Sequence, residues 1–382
     1  MKTNLIFASD SFKGSLSSVR AGELLTEAAV KVFGDRFGYK ILPVADGGEG
    51  TAEAVTHAVG GRAVPVTVTG PLGRPVSAFY GDLGNGRARL DMASASGLTL
   101  VPEELRDPEK TSTRGTGELL RAVLDAGFSD VTVGIGGSST NDGGTGFASA
   151  LGVRFLDSRG RELYGRGADL IKIRSIDLSG IHPAIRSGAA AVTVMCDVKN
   201  PLCGKNGATA VFGPQKGADP PMVRRLERGM RNYSRVVSDL YKTDVQRISG
   251  GGAAGGLGAA LAVFCGAKMR SGIETLLDLV GFDRMLDDAA LVVTGEGRTD
   301  AQSFMGKAVS GIGRRAAARG VPVALLCGSL GDGWESAYEN GISSVFFTKP
   351  DNIPLEEAIR RAEELYLSAA VRMFETLSVS IL

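Results

Sequence analysis

The chain has 382 residues, with 43 Lys and Arg against 42 Asp and Glu, for a net charge of +1. That length exceeds one ordinary hydrophobic core, so two domains are expected. The balanced charge excludes a global basic field of the kind that binds nucleic acid or an acidic membrane.

Asn4–Ala8 reads as a first buried strand, too short for a signal-peptide core. It runs into a hydroxyl-rich loop, residues 9–18, and then an amphipathic helix from about Val19 to Phe33, with Ser17 or Ser18 as its N-cap. Tyr39–Val44 repeats the pattern: a strand, the acidic glycine loop Ala45-Asp46-Gly47-Gly48-Glu49-Gly50-Thr51, and a helix to about Val59. The texture then changes. Val64–Val68, Ser77–Tyr80 and Arg87–Met92, joined by Gly- and Pro-rich turns, predict an antiparallel meander and a domain boundary near Gly61–Pro71.

Thr111–Glu118 packs hydroxyls and glycines ahead of a helix over Leu119–Ala126. Val131-Thr132-Val133 is a strand that enters the loop Gly134–Gly146, GIGGSSTNDGGTG, and leaves through a helix-compatible run. Strand, glycine loop and helix form the grammar of an anion site, because glycines let the backbone approach a ligand and first-turn N–H groups point outward unpaired. Val153–Leu156 with Gly160–Tyr164 predicts a peripheral hairpin, and Ile171–Leu178 a further strand or connector. Ala190–Met195 is a clear strand ending in Cys196-Asp197-Val198-Lys199-Asn200, where an acid and a lysine two residues apart suit a base or metal ligand beside a phosphate-neutralising cation.

Met222–Tyr241 has helical spacing with a solvated charged face. Residues 250–267 are uncharged but rich in Gly and Ala, which predicts a core helix rather than a membrane span. The G-x-G-x-x-G at Gly250, Gly252 and Gly255 follows no buried strand, so it is a weak dinucleotide signal. Ile273–Leu279 and Phe282–Leu286 are helical; Ala289–Val293, Val321–Leu326 and Ser343–Phe347 are parallel-type strands; Pro354–Thr376 is a closing helix. The return to strand–helix alternation predicts one parallel sheet shared by both chain ends, with the middle inserted.

The four cysteines form no C-x-x-C pair and there are two histidines, so a structural zinc site is disfavoured and reduced thiols in a cytoplasm are the simplest reading. No Walker A sequence and no G-x-S-x-G elbow is present. What remains is a set of glycine-hydroxyl loops carrying Asp, Glu, Lys and Arg. Phosphoryl transfer needs such parts: donors and cations for phosphate oxygens, a carboxylate for Mg²⁺, and a carboxylate to accept a hydroxyl proton.

Six stretches carry a resemblance: Asp10–Ser15 (DSFKGS), Pro43–Thr51 (PVADGGEGT), Gly134–Gly144 (GIGGSSTNDGG), Cys196–Leu202 (CDVKNPL), Phe212–Gly217 (FGPQKG) and Thr294–Asp300 (TGEGRTD). Together, in this order and over essentially the whole chain, they resemble the type-1 glycerate kinase family. Ser139 stands where Ala is usual in that loop, a small change. The resemblance implies an α/β fold of two domains. One is flavodoxin-like with a parallel sheet, from residues 1–66 and 285–382; the other is an inserted mixed-sheet domain, 67–284, likened to restriction endonucleases, with the active site in the cleft between them.

It also implies phosphorylation of D-glycerate with ATP and Mg²⁺, favouring 2-phosphoglycerate. The alternatives are the 3-hydroxyl or a non-catalytic small-acid or nucleotide sensor on the same fold. Expected partners are small molecules, without nucleic acid or membrane, and self-association is compatible. Asp197 is the first choice for the base and Asp46 the second. Lys13 and Lys199 would offset phosphate charge. Gly136, Gly137, Ser138, Ser139, Thr140 and Asn141 would cradle an anionic group. Asp10, Ser11, Ser15, Gly47, Gly48 and Glu49 would line phosphate or substrate, Arg298 would clamp the substrate carboxylate, and Glu296 and Asp300 would hold Mg²⁺.

Overall fold

The computed structural model describes residues 3–12, 14–44, 51–304, 306–350 and 352–381. The chain divides into two compact units, Met1–Asp46 with Gly272–Leu382, and Gly47–Ser271. The first unit opens with β1 (Asn4–Ser9) and β2 (Gly38–Ile41). The second contains β3 (Arg62–Thr69), β4 (Pro75–Asp82), β5 (Arg87–Asp91), β6 (Asp130–Gly134), β7 (Arg154–Leu156), β8 (Ser175–Asp177), β9 (Ala191–Met195) and β10 (Lys268–Arg270). The chain then returns with β11 (Ala289–Gly295), β12 (Arg298–Thr299), β13 (Val323–Cys327), β14 (Ser329–Leu330) and β15 (Ser344–Phe347).

The main sheet of the first unit is parallel throughout, in the order β15-β13-β11-β1-β2. Counting these strands along the chain, the order is 2-1-3-4-5, the flavodoxin-like arrangement, and its switch point lies between β1 and β11. Leu5, Ile6, Phe7 and Ala8 are all buried, because helices cover both faces of such a sheet and a central strand must be apolar on both. One face takes the helix Ser18–Phe33. Ser17 caps it, its Oγ accepting the Arg20 N–H at 3.1 Å, and Gly34, at φ 58°, ends it. Its buried side chains, among them Ala21, Leu24, Leu25, Ala28 and Ala29, follow the helical period. The helix Ala362–Ile381 lies on the same core, with the Phe374 ring 6.0 Å from Phe7 and 5.6 Å from Phe33. Burying each such Leu or Phe side chain contributes roughly 1.5–3 kcal/mol.

The second unit is built on a mixed six-stranded sheet, β10-β9-β6-β5-β4-β3. β3, β4 and β5 form the expected antiparallel meander, after which β5, β6, β9 and β10 run parallel. Its core includes Leu90, Leu119, Leu120, Val131, Val133, Phe147, Val192, Val194, Tyr233, Leu257 and Phe264.

Three expectations change. A domain cut at 66/67 falls inside β3, which pairs with β4 from Arg62 to Thr69 and so belongs wholly to the second unit. A cut at 284/285 likewise separates the helix Gly272–Val280 from its own unit, where Arg315 Nη2 donates to Glu274 Oε2 and Asp278 Oδ1, each at 2.7 Å. The hairpin expected between Val153–Leu156 and Gly160–Tyr164 is reduced to one bridge, Leu156 to Glu162; β7 pairs instead with β8. The uncharged stretch does form a buried helix, Leu257–Cys265, and no helix among the described residues is long and apolar enough to cross a membrane.

Candidate functional site

In the second unit, Asp91, Gly134 and Met195 stand level at the carboxyl ends of β5, β6 and β9. The segments that follow therefore leave the sheet side by side, where open α/β sheets place their ligands. From β6 emerges the glycine loop. Leu98 N donates to Gly137 O at 2.8 Å and Ser139 N to Ser96 O at 3.0 Å, which pins the loop against the segment after β5. The residue between these bonds faces the other way. Among the described residues, no acceptor takes the N–H of Gly136, Gly137 or Ser138. Gly137, exposed and at φ 72°, supplies the left-handed turn. Successive unpaired N–H groups around such a turn form an anion-binding nest.

The side chains that follow point inward. Ser139 Oγ donates to Ser96 O at 2.9 Å, and Asn141 Nδ2 donates to Thr209 Oγ1 at 3.0 Å. Thr140, Asn141 and Asp142 have no exposed surface. The stretch read from sequence as one cradle thus splits: the Gly136–Ser138 N–H groups meet no acceptor among the described residues, while the Ser139 and Asn141 side chains bond within the unit. Asp142 is the anchor of that second part. It accepts from Thr113 N at 2.8 Å, Thr113 Oγ1 at 2.7 Å, Gly144 N at 3.0 Å and Gly146 N at 3.3 Å. Burial pushes its carboxyl above the ordinary range, against the pull of these donors. Gly255 closes the loop from the other side, its carbonyl accepting the Gly143 N–H at 2.9 Å.

Two glycine substitutions test this construction. Gly255 sits at φ 66°, and a Cβ there would overlap Thr140 O. Gly255→Ala is expected to cost about 2–4 kcal/mol, read as a lower urea midpoint. At Gly137 a Cβ would find room, 3.5 Å from the Ala93 Cβ. Gly137→Ala is expected to cost only about 1 kcal/mol, from its positive φ. It should leave the melting transition cooperative and raise the KM of any anion that the turn receives.

Asp197 and Lys199 follow β9 and are exposed. Next to them, Asn200 is held by its Nδ2 donating to Asn206 O at 2.9 Å and its carbonyl accepting Gly252 N at 3.0 Å. At the end of β5, Asp91 Oδ2 accepts the Ala52 N–H at 2.6 Å, fixing the start of the helix Thr51–Ala58 to the sheet. Its other oxygen lies 3.4 Å from Arg89 Nη2 in a buried pair. Asp46, Gly47, Gly48 and Glu49 lie outside the described residues, as does Lys13.

In the first unit the expected residues gather at the switch point. Asp10 N donates to Gly295 O at 2.8 Å, joining the ends of β1 and β11, and Asp10 Oδ1 accepts Ser11 N at 2.6 Å. Glu296 follows β11 and accepts from Thr299 Oγ1 at 3.0 Å. Burial pushes its carboxyl above the ordinary range. Ser303, Thr299 and Lys307 oppose that shift, and the charge of Asp10 adds to it. Arg298, in the small β12–β14 ladder, points its Nε to within 3.9 Å of Asp300 Oδ2. Asp300 Oδ1 accepts Gln302 N at 2.9 Å. Ser15 is turned to its own loop, donating to Phe12 O at 3.0 Å. Among the described residues no group of three or more His, Cys, Asp or Glu is arranged to hold a metal; the acidic neighbour of Glu296 is Asp10.

One buried group was not singled out for a role by the sequence. Lys216, from the F-G-P-Q-K-G stretch, is 1% exposed and reaches the underside of the loop. Its Nζ donates to Ser138 Oγ at 2.7 Å and Thr140 O at 2.6 Å. The glycine after it was the available signal: Gly217, at φ 95°, lies so close to Arg106 O that a Cβ would overlap it.

One α/β unit carries a run of N–H groups that meet no acceptor among the described residues, and the other carries two acidic side chains, Asp10 and Glu296, at its topological switch point. The model of the glycerate kinase family matches residues 5–378, and the chain belongs to that family. It is 44% identical to the glycerate kinase of Bacillus subtilis strain 168, over 96% of each chain. It is 41% identical to the glycerate 2-kinase of Escherichia coli K12, over 99% of this chain and 98% of that one. A crystal structure of a candidate glycerate kinase 2 from Salmonella typhimurium LT2 superposes with a TM-score of 0.85 at 43% identity, covering 99% of both chains.

Proposed function

We propose that this chain transfers the γ-phosphoryl group of ATP to D-glycerate, with Mg²⁺, and that the product is 2-phosphoglycerate. The observation that carries the reading is the near-whole-chain likeness to a relative named glycerate 2-kinase. In the step itself, the glycerate 2-hydroxyl oxygen bonds to the γ-phosphorus. The bond from that phosphorus to the bridging oxygen breaks, and ADP leaves with the electron pair. Asp197 takes the hydroxyl proton; its exposure at the end of β9 supports this role, and Asp46 is the second choice. Gly136, Gly137 and Ser138 receive anionic oxygens on their N–H groups. Lys199 and Lys13 offset phosphate charge, and Arg298 clamps a carboxylate.

The donor set of the first unit fits a hard divalent cation. Asp10 and Glu296 offer oxygens, and their mutual repulsion helps hold Glu296 above its ordinary range, a strain that a cation relieves. Glu296 would hold Mg²⁺ together with one further carboxylate, Asp300 or Asp10. When bound, the ion neutralises charge on the phosphate oxygens. A cytoplasmic location completes the reading and is supported by four unpaired cysteines. With purified protein, Mg-ATP and glycerate, ADP release should require glycerate. Binding of glycerate or nucleotide without turnover would favour a sensor instead.

A further inference from the structure

Lys216 closes the turn Pro214–Lys216, and its whole side chain is buried beneath the glycine loop. A lysine that served only to fill space or brace a loop could be replaced by an apolar residue, since burying an ammonium group is costly unless it is paired. Here the pairing is incomplete. Its two acceptors, Ser138 Oγ and Thr140 O, are neutral oxygens. Among the described residues no carboxylate lies within ion-pair distance of its Nζ. Asp142 reaches it only through its field, and the Asp142 oxygens are already taken by Thr113, Gly144 and Gly146. Two further charged residues adjoin this turn: Arg106, which packs on Gly217 through its backbone carbonyl, and Asp219, whose side chain accepts from Met222 N at 2.7 Å.

The two bonds from Lys216 also land at informative places. Ser138 is the last residue of the unpaired N–H run, and Thr140 lies just past it. Because Ser138 Oγ accepts from Lys216, its own hydroxyl hydrogen remains available to another acceptor. A buried cation without a counter-ion, tied to a turn whose N–H groups lack acceptors, has the complementarity of an anion site with the anion removed.

We infer that Lys216 is a positioning residue and built-in counter-charge for an anionic oxygen, carboxylate or phosphate, bound at the Gly136–Ser138 turn. The inference rests on the kinase reading above and deepens it. Burial pushes the Lys216 amine down to about 7, so near neutrality only part of the free protein carries the charge. An arriving anion favours the charged form and raises that value. Affinity should therefore be greatest and flat below pH about 7 and weaken above it, by at most about tenfold per pH unit.

The direct test is calorimetry on the wild-type protein in buffers of different ionisation enthalpy, near pH ~8. Glycerate, ATP and inorganic phosphate are titrated separately. Binding of the anion that occupies the turn should take up a fraction of a proton, and Lys216→Met should abolish the uptake and weaken that anion at least about tenfold. Uptake with glycerate identifies a carboxylate occupant; uptake with ATP and phosphate identifies a phosphate. Lys216→Arg, permanently charged, should remove the pH dependence of KM. Anion binding to wild type without proton uptake overturns the inference, as does a folded Lys216→Met with wild-type KM values. If wild type binds these anions with proton uptake but makes no glycerate-dependent ADP, the kinase reading fails and the site survives.

Discussion

Asp142→Ala should lower the stability of the second unit by about 3–5 kcal/mol, the largest loss expected of any single change in the loop. The carboxylate has no exposed surface and accepts four hydrogen bonds, from Thr113 N, Thr113 Oγ1, Gly144 N and Gly146 N. Truncation strands all four donors in a place that water does not reach. Thr113 Oγ1 in turn accepts the Phe147 N–H at 2.9 Å, so the start of the helix Thr145–Ala150 is tied to the same carboxylate. The loss also removes a negative field acting on Lys216. Asp142→Asn keeps the shape but sets an NH₂ against one or more of these donors, and an intermediate loss of about 1–3 kcal/mol is expected. Urea denaturation monitored by circular dichroism reads both. A wild-type midpoint for Asp142→Ala would mean that the loop is held by other contacts.

Asp197→Asn should leave the fold intact and reduce phosphoryl transfer by about 10²–10⁴-fold, the usual contribution of a general base. The residue is exposed at the end of β9, so the variant is expected to fold cooperatively. Single-turnover kinetics with saturating Mg-ATP separate this loss from weakened binding or slow product release. The deficit should appear in the transfer step, with KM for glycerate little changed. Near-normal transfer by a folded Asp197→Asn would remove Asp197 from the base role and turn attention to Asp46.

Much of the fold was legible because its signals are local. Leu5–Ala8 is apolar at every position, as a central parallel strand must be, and Gly84-Asn85-Gly86 marks the turn between β4 and β5. The failures have physical causes. The helix read as starting at Leu119 begins at Arg114, because Gly115 and Gly117 looked like loop residues. They are glycine for close packing: a Cβ on Gly115 would overlap Thr69 O, and one on Gly117 would overlap Phe147 O. β10, Lys-Met-Arg, is too short and too charged to announce itself, and it exists by pairing with β9.

The site shows the same division. Asp10 and Glu296 were placed at strand ends by pattern alone, and the 2-1-3-4-5 order brings those ends together. The direction of Ser139, Thr140 and Asn141 was not legible, because a hydroxyl or amide that meets a ligand and one that meets a buried carbonyl have the same letter. Lys216 was hidden for a similar reason: a lysine in a glycine-rich stretch reads as surface until the packing of the turn around it is known.

Phosphorus NMR of the product formed from D-glycerate and Mg-ATP reads which hydroxyl has been phosphorylated. A phosphate on the 2-hydroxyl couples to one carbon-bound proton and gives a doublet, whereas one on the 3-hydroxyl couples to a CH₂ and gives a triplet. Glycerate-dependent conversion of ATP to ADP is expected, with a growing doublet from 2-phosphoglycerate. A triplet would contradict the assignment of the reacting hydroxyl, and ATP left intact in the presence of glycerate would contradict the kinase itself.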